Sequence, residues 1–244
     1  MTLKRILTGF GVLLLLATSA FADIAYIGQE PADQAWNGPL GLAFDVNTPI
    51  TITYMGVYNG NAPTIPQLVS ELQVAIYQTT GTQNPGPNQG PGQEAVTTTG
   101  TQVAGTVVTF NAGTSYTQLP GDSYDLFQAI TPVTLAPGAY EVVATGFTSG
   151  QPNGNDGNGG PGSIEGITDG SITYVEYPSY GTNGPSLYYP NVVDTYPASN
   201  YPNGGPPNRY DAGTFAIAPD GGTTLPLLGL AVGGLAGLRR KLSV

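Results

Sequence analysis

The chain has no histidine, no cysteine, one tryptophan and only six basic residues in 244. Each absence closes a class of chemistry. Without histidine or cysteine there is no Ser-His-Asp or Cys-His nucleophile system and no ordinary zinc site. Without cysteine no disulfide supports the fold. Positive charge is scarce where a domain would sit: five of the six basic residues lie in the terminal stretches, and only Arg209 lies between them. All sixteen acidic residues fall between Asp23 and Asp220, so that span has one basic residue against sixteen acidic ones, a net charge of −15. Such a surface repels nucleic acid and anionic membrane. It suits divalent cations or a neutral glycan, and it also serves simply as a solubility device. No Gly-rich phosphate loop precedes a helical pattern, and no ten-residue helical periodicity occurs outside the two terminal apolar runs.

What is present begins with an export signal. Lys4 and Arg5 form a charged start, Ile6 to Ala17 an apolar stretch, and Ala20-Phe21-Ala22 a small-x-small cleavage site. Residues 1–22 therefore read as a signal peptide, with passage through Sec machinery and signal peptidase and a mature chain starting at Asp23. An uncleaved signal anchor is the alternative.

The other end has three parts in fixed order. Ala218-Pro219-Asp220-Gly221-Gly222 is a short polar motif; residues 223–238 are an apolar run; Arg239-Arg240-Lys241 is a basic cluster. The run partitions into a bilayer, and the cluster stays on the cytoplasmic side. Its sixteen residues span roughly 24 Å as a helix, against about 30 Å of hydrocarbon, a gap that snorkelling and thinning can close. Gly229, Gly233 and Gly237 give it a small-residue face suited to helix contact. A plain transmembrane anchor is one reading.

The order and the motif also resemble the C-terminal sorting signals of exosortase substrates, the PEP-CTERM class. The similarity is closest to the variant whose motif is Val-Pro-Asp-Ser-Gly. Pro219, Asp220 and Gly222 match; Ala218 and Gly221 stand in place of valine and serine. The resemblance implies an exosortase-like membrane peptidase as partner, transient membrane anchoring, and delivery to the cell surface or beyond.

Between the signals, residues 23–218 are enough for one well-filled domain. Leu42, Phe44 and Val46 alternate with small or polar neighbours, and Ile50 to Tyr58 does the same after the Asn47-Thr48-Pro49 turn. Further strands are expected over Glu71–Gln78, Gly105–Phe110, Tyr124–Ile130, Val133–Leu135, Ala139–Phe147, Ile172–Tyr177 and Gly213–Ala218, with Ala25-Tyr26-Ile27 as an edge strand. Pro137-Gly138 marks a tight turn. About nine short strands separated by Gly/Pro turns indicate an all-β sandwich. Loops are expected over residues 80–92, 150–162 and 178–210. Residues 41–147 also resemble secreted bacterial β-sandwich domains found upstream of such sorting tails, which implies a jelly-roll-like fold and transfers no functional residue.

Three candidates for chemistry follow. Sixteen acids allow a carboxylate pair for glycoside cleavage, with Asp122, Asp125, Glu141 and Glu176 available but no spacing that singles out two. Asn153-Gly154-Asn155-Asp156-Gly157-Asn158 offers oxygen ligands for Ca²⁺, although it has a single carboxylate and no EF-hand glutamate, and a plain polar loop is the alternative. Trp36, Tyr188 and Tyr189 supply amphipathic rings of the kind that stack on sugars; packing on the sandwich is the alternative. The reading is thus a non-enzymatic surface or matrix protein, with a carbohydrate-binding module for exopolysaccharide as its rival.

Overall fold

The structure is a computed structural model of the chain, and it describes residues 22–29, 32, 34–62, 67–80, 94–95, 99–155, 163–175, 179–182, 184–190, 192–193 and 210–218. Apart from Ala218, these belong to one compact unit, Ala22–Ile217. The described part contains strands and no helix, as the period-two patterning requires.

In chain order the strands are β1 (Asp23–Ile24), β2 (Tyr26–Ile27), β3 (Leu40–Val46), β4 (Ile50–Tyr58) and β5 (Leu72–Thr80). Then come β6 (Glu94–Ala95), β7 (Thr99–Gln102), β8 (Val108–Phe110), β9 (Asp125–Leu135) and β10 (Gly138–Thr145). The last are β11 (Gly154–Asn155), β12 (Ile164–Glu165), β13 (Ile172–Tyr174), β14 (Ser179–Tyr180), β15 (Val192–Val193), β16 (Tyr210–Asp211) and β17 (Gly213–Ile217). The number exceeds nine because several two-residue pairings form in stretches with no alternating pattern of their own.

Two antiparallel sheets make the body. The smaller runs β1-β17-β4-β9; the larger runs β6-β15-β14-β3-β10-β5-β7, with β13 also on β3 and β8 also on β5. Their facing residues share one core: Leu42, Phe44, Val74 and Val142 from the larger sheet, Ile52, Val57 and Phe215 from the smaller. Phe44 and Phe215 meet across it with ring centroids 4.9 Å apart. Burying each such side chain contributes about 1.5–3 kcal/mol.

The expected turns have an unexpected job. Asn47-Thr48-Pro49 joins β3 to β4, and Ala136-Pro137 joins β9 to β10, yet in both cases the two strands lie in different sheets. These turns are corners between layers, not hairpins. They stand side by side, because Val46 pairs with Gly138 in one sheet and Ile50 with Leu135 in the other.

Two departures have local causes. Tyr124–Ile130 and Val133–Leu135 form a single strand, β9, with a bulge. Ile52 pairs with Val133 and Tyr54 with Ala129, so Ile130, Thr131 and Pro132 all stand opposite Thr53. Pro132 has no N–H to give, and a bulge on an edge strand is where proline is tolerated. The strand expected from Gly105 starts only at Val108, because the Thr106 side chain takes a backbone role. Its Oγ1 accepts the Ile76 N–H at 3.0 Å and donates to the Val103 carbonyl at 2.8 Å.

The lead-in is stitched into the body. Tyr26 is fully buried and donates its hydroxyl to the Ala43 carbonyl at 3.0 Å. Thr214 Oγ1 accepts the Tyr26 N–H and donates to the Tyr26 carbonyl. Burial pushes the Tyr26 phenol well above its ordinary value.

Candidate functional site

The best-formed candidate surface lies where the lead-in meets the tyrosine-rich segment. β14 pairs with the start of β3, and the Gly181 N–H donates to the Pro39 carbonyl at 2.9 Å. This lays Thr182 against Gly38. A Cβ at Gly38 would collide with the Thr182 carbonyl oxygen and the Trp36 indole nitrogen; one at Gly181 would collide with the Tyr188 hydroxyl and the Pro39 ring. Only glycine permits this approach. The Tyr188 hydroxyl hydrogen-bonds Thr182 Oγ1 at 2.7 Å and donates to the Thr182 carbonyl at 3.2 Å. Trp36, beside Gly38, and Tyr188, beside Gly181 and Thr182, are each half-buried and flank this close approach of backbones.

Tyr189 is placed differently. Its ring leans on Tyr77 at 5.8 Å between centroids and packs, with Leu187, on Ala75, Tyr77 and Val143 on the outer face of the larger sheet. Its apolar surface is used for packing. Of the three aromatic candidates, Tyr189 covers the sheet, Trp36 packs against the main core, and Tyr188 is held at Thr182.

The described start of the calcium-candidate loop is built into the fold. Asn153 is buried and bridges Gln34 by backbone pairing in both directions. Its side-chain amide donates to Gln34 Oε1 at 2.9 Å, and its Oδ1 accepts the Trp36 N–H at 3.3 Å. Asn155, also buried, pairs with Tyr210. Asp156, Gly157 and Asn158 lie outside the described residues.

The acids separate into groups. Glu141 is fully buried in β10, on the larger sheet. Glu176 lies outside the described residues. Asp122 and Asp125 sit together at the start of β9, 6% and 2% exposed. Asp122 Oδ1 accepts the N–H groups of Tyr124 at 2.8 Å and Asp125 at 2.9 Å, and Asp125 Oδ2 accepts the Gly28 N–H at 2.9 Å. Burial first, then the neighbouring Asp122 carboxyl within hydrogen-bonding reach, and then Asp211, push Asp125 well above the usual carboxylate range; the Gly28 N–H works in the opposite direction. Carboxyls that close lack the separation of about 5–5.5 Å that retaining glycosidases use. Nothing in the sequence marked these two acids out, since an i, i+3 spacing ahead of a strand is unremarkable. A buried polar knot was equally illegible: Gln151 Nε2 donates to Asn59 Oδ1 at 2.8 Å and Gln151 Oε1 accepts the Val69 N–H at 2.9 Å.

At the ends, Ala22 and Ala218 are half-buried and flank the strands β1 and β17. Ala20, Pro219, Asp220, Gly221, Gly222, Arg239, Arg240 and Lys241 lie outside the described residues. Among the described residues no helix is long and apolar enough to cross a membrane, and no three His, Cys, Asp or Glu side chains group to hold a metal ion.

The family model of the VPDSG-CTERM motif matches residues 219–242. This match supports a C-terminal sorting signal of the exosortase-substrate type. No curated protein and no solved structure matches the chain.

Proposed function

We propose that the chain is a non-enzymatic protein of the cell surface or extracellular matrix, sorted and cut by an exosortase-like membrane peptidase. The sorting-motif match at residues 219–242 carries this reading. In it, residues 1–22 are a signal helix removed by signal peptidase after Sec export. Residues 223–238 form a transmembrane helix that holds the chain until the motif Ala218–Gly222 is processed. The cargo is the jelly-roll-like sandwich between them. An inert secreted reporter carrying residues 219–244 tests it: membrane and medium fractions of the native host should contain a membrane-bound precursor and a shorter released or surface form. A reporter found only as an intact membrane-bound chain would remove processing from the proposal.

The second reading is a carbohydrate-binding module facing exopolysaccharide, in a biofilm for example. The placement of half-buried Trp36 and Tyr188 on either side of the Gly38–Thr182 approach favours it, because such rings combine apolar faces with polar tips. Glycan-array binding that falls in Trp36→Ala and Tyr188→Ala but survives in the exposed control Val107→Ala would support it. Binding to no glycan would leave the structural role.

A further inference from the structure

Among the described residues the acid pair at the start of β9 has no basic counter-charge. The described residues include no lysine, arginine or histidine at all, so no basic side chain among them neutralises Asp122 and Asp125. Buried carboxylates in that position need a proton or a cation. The hydrogen bonds leave one carboxylate oxygen without a donor. Both amides that bind Asp122 take the same oxygen, Oδ1, and Oδ2 is buried with no hydrogen-bond partner.

A second buried polar residue, from another part of the chain, lies next to the Gly28 end of this site. Ser163 is 3% exposed and its Oγ has no hydrogen-bond partner. It stands one position beyond the ladder in which Ile164 pairs with Ile27, so it lies across from Gly28. Cross-strand neighbours project to the same face of a sheet. The direction that a Cβ would take from Gly28 runs to the Tyr58 ring and to within 3.1 Å of Asp125 Oδ1. The Ser163 hydroxyl is therefore directed to the side on which the Asp125 carboxylate lies. Asp211 adds a third negative charge; its Oδ2 is held by the Gln29 N–H at 3.1 Å, against Gly154.

We propose that a calcium ion binds between the Asp122 and Asp125 carboxylates, beside the Ser163 hydroxyl. Hard oxygen donors of mixed charge, drawn from two separate segments, suit calcium's flexible coordination better than magnesium's strict octahedron. Two carboxylates with otherwise neutral oxygens place the affinity with the weaker extracellular modules, about 10⁻⁴–10⁻³ M. The ion would tie the lead-in at Gly28 and the segment at Ser163 to the start of β9. The site is independent of the sorting reading.

The test is melting of the full chain in mild detergent, in EGTA and in millimolar calcium or magnesium at matched ionic strength, with calorimetric titration of calcium alone. Calcium should raise the melting point and magnesium should do so far less. Asp122→Asn should abolish the calcium shift, and Ser163→Ala should weaken calcium binding several-fold while leaving the EGTA melting point nearly unchanged. No calcium shift in the native chain would overturn the proposal. So would an undiminished affinity in Ser163→Ala, which decides the matter if Asp122→Asn does not fold.

Discussion

Gly28 donates its amide N–H to Asp125 Oδ2 at 2.9 Å, across 97 positions of sequence. This bond joins the lead-in to the first residue of β9, and it is the one described interaction that favours the charged form of Asp125. Burial and the neighbouring acids outweigh it, so the folded chain holds the Asp125 proton to a higher pH than the unfolded chain does. From the ordinary value of 3.8 up to the raised one, the folded state binds more protons. Stability from this group is therefore fully present below that ordinary value and is lost as pH rises through the folded one. Urea denaturation in EGTA should show stability falling with pH over that window, and Asp125→Asn should flatten the fall. A stability that rises with pH there would contradict the assignment.

Calcium should reverse this dependence in its own binding. The ion needs both carboxylates ionised, so protons compete with it. Calorimetric affinity should weaken as pH is lowered toward the ordinary carboxylate range, and protons should be released on binding at mildly acidic pH. A pH-independent affinity would place the ion elsewhere.

The core makes a simpler prediction. Phe44 is fully buried between Phe215 and Tyr140. Phe44→Ala should cost about 3–5 kcal/mol, whereas Val107→Ala, at a position 48% exposed, should stay within about 0.5 kcal/mol. Denaturant midpoints at constant slope measure both.

Tyr189 offers a test of its packing role. A Cβ at Gly100 would strike its ring, which lies over Tyr77. Gly100→Val should displace it and cost about 1–3 kcal/mol. If the ring serves only as packing, glycan binding at Trp36 and Tyr188 should be untouched by that substitution. A loss of binding equal to that of Tyr188→Ala would put Tyr189 back among the contacts.

Much of the strand plan was open to reading because the strands are rich in β-branched and aromatic residues that become buried. Ile50 to Tyr58 has the expected bounds, but its alternation breaks at the bulge: Ile52, then Met55 and Val57, enter the main core, and Tyr54 packs on a separate cluster. The pattern does not say which sheet a strand joins. Corner turns such as Asn47-Thr48-Pro49 use the same residues as hairpin turns, so the two-layer path was not legible. The buried polar groups were hidden for a related reason. Gln151, Asn153 and Asn155 sit in a Gly-rich polar stretch that has the composition of a surface loop, yet each is buried once its amide finds partners far away in sequence. The close approach of the Gly38 and Thr182 backbones beside Trp36 and Tyr188 depends on two glycines that are ordinary until the backbones are brought together.

β17 is the last of the described strands but an interior strand of its sheet, between β1 and β4. Tyr26 and Thr214, which exchange hydrogen bonds there, are 188 residues apart. A chain emerging N-terminus first can lay down β4 and β9, but β1 has nothing to pair with until Ile217 has arrived. Such long-range closure is slow and leaves strand edges exposed meanwhile. The sorting-motif match begins at residue 219, two positions after that strand ends. Completion of the sheet and delivery of the tail are therefore nearly simultaneous. If the tail is held in the membrane as proposed, the molecule stays in place for the interval in which β17 finds its slot.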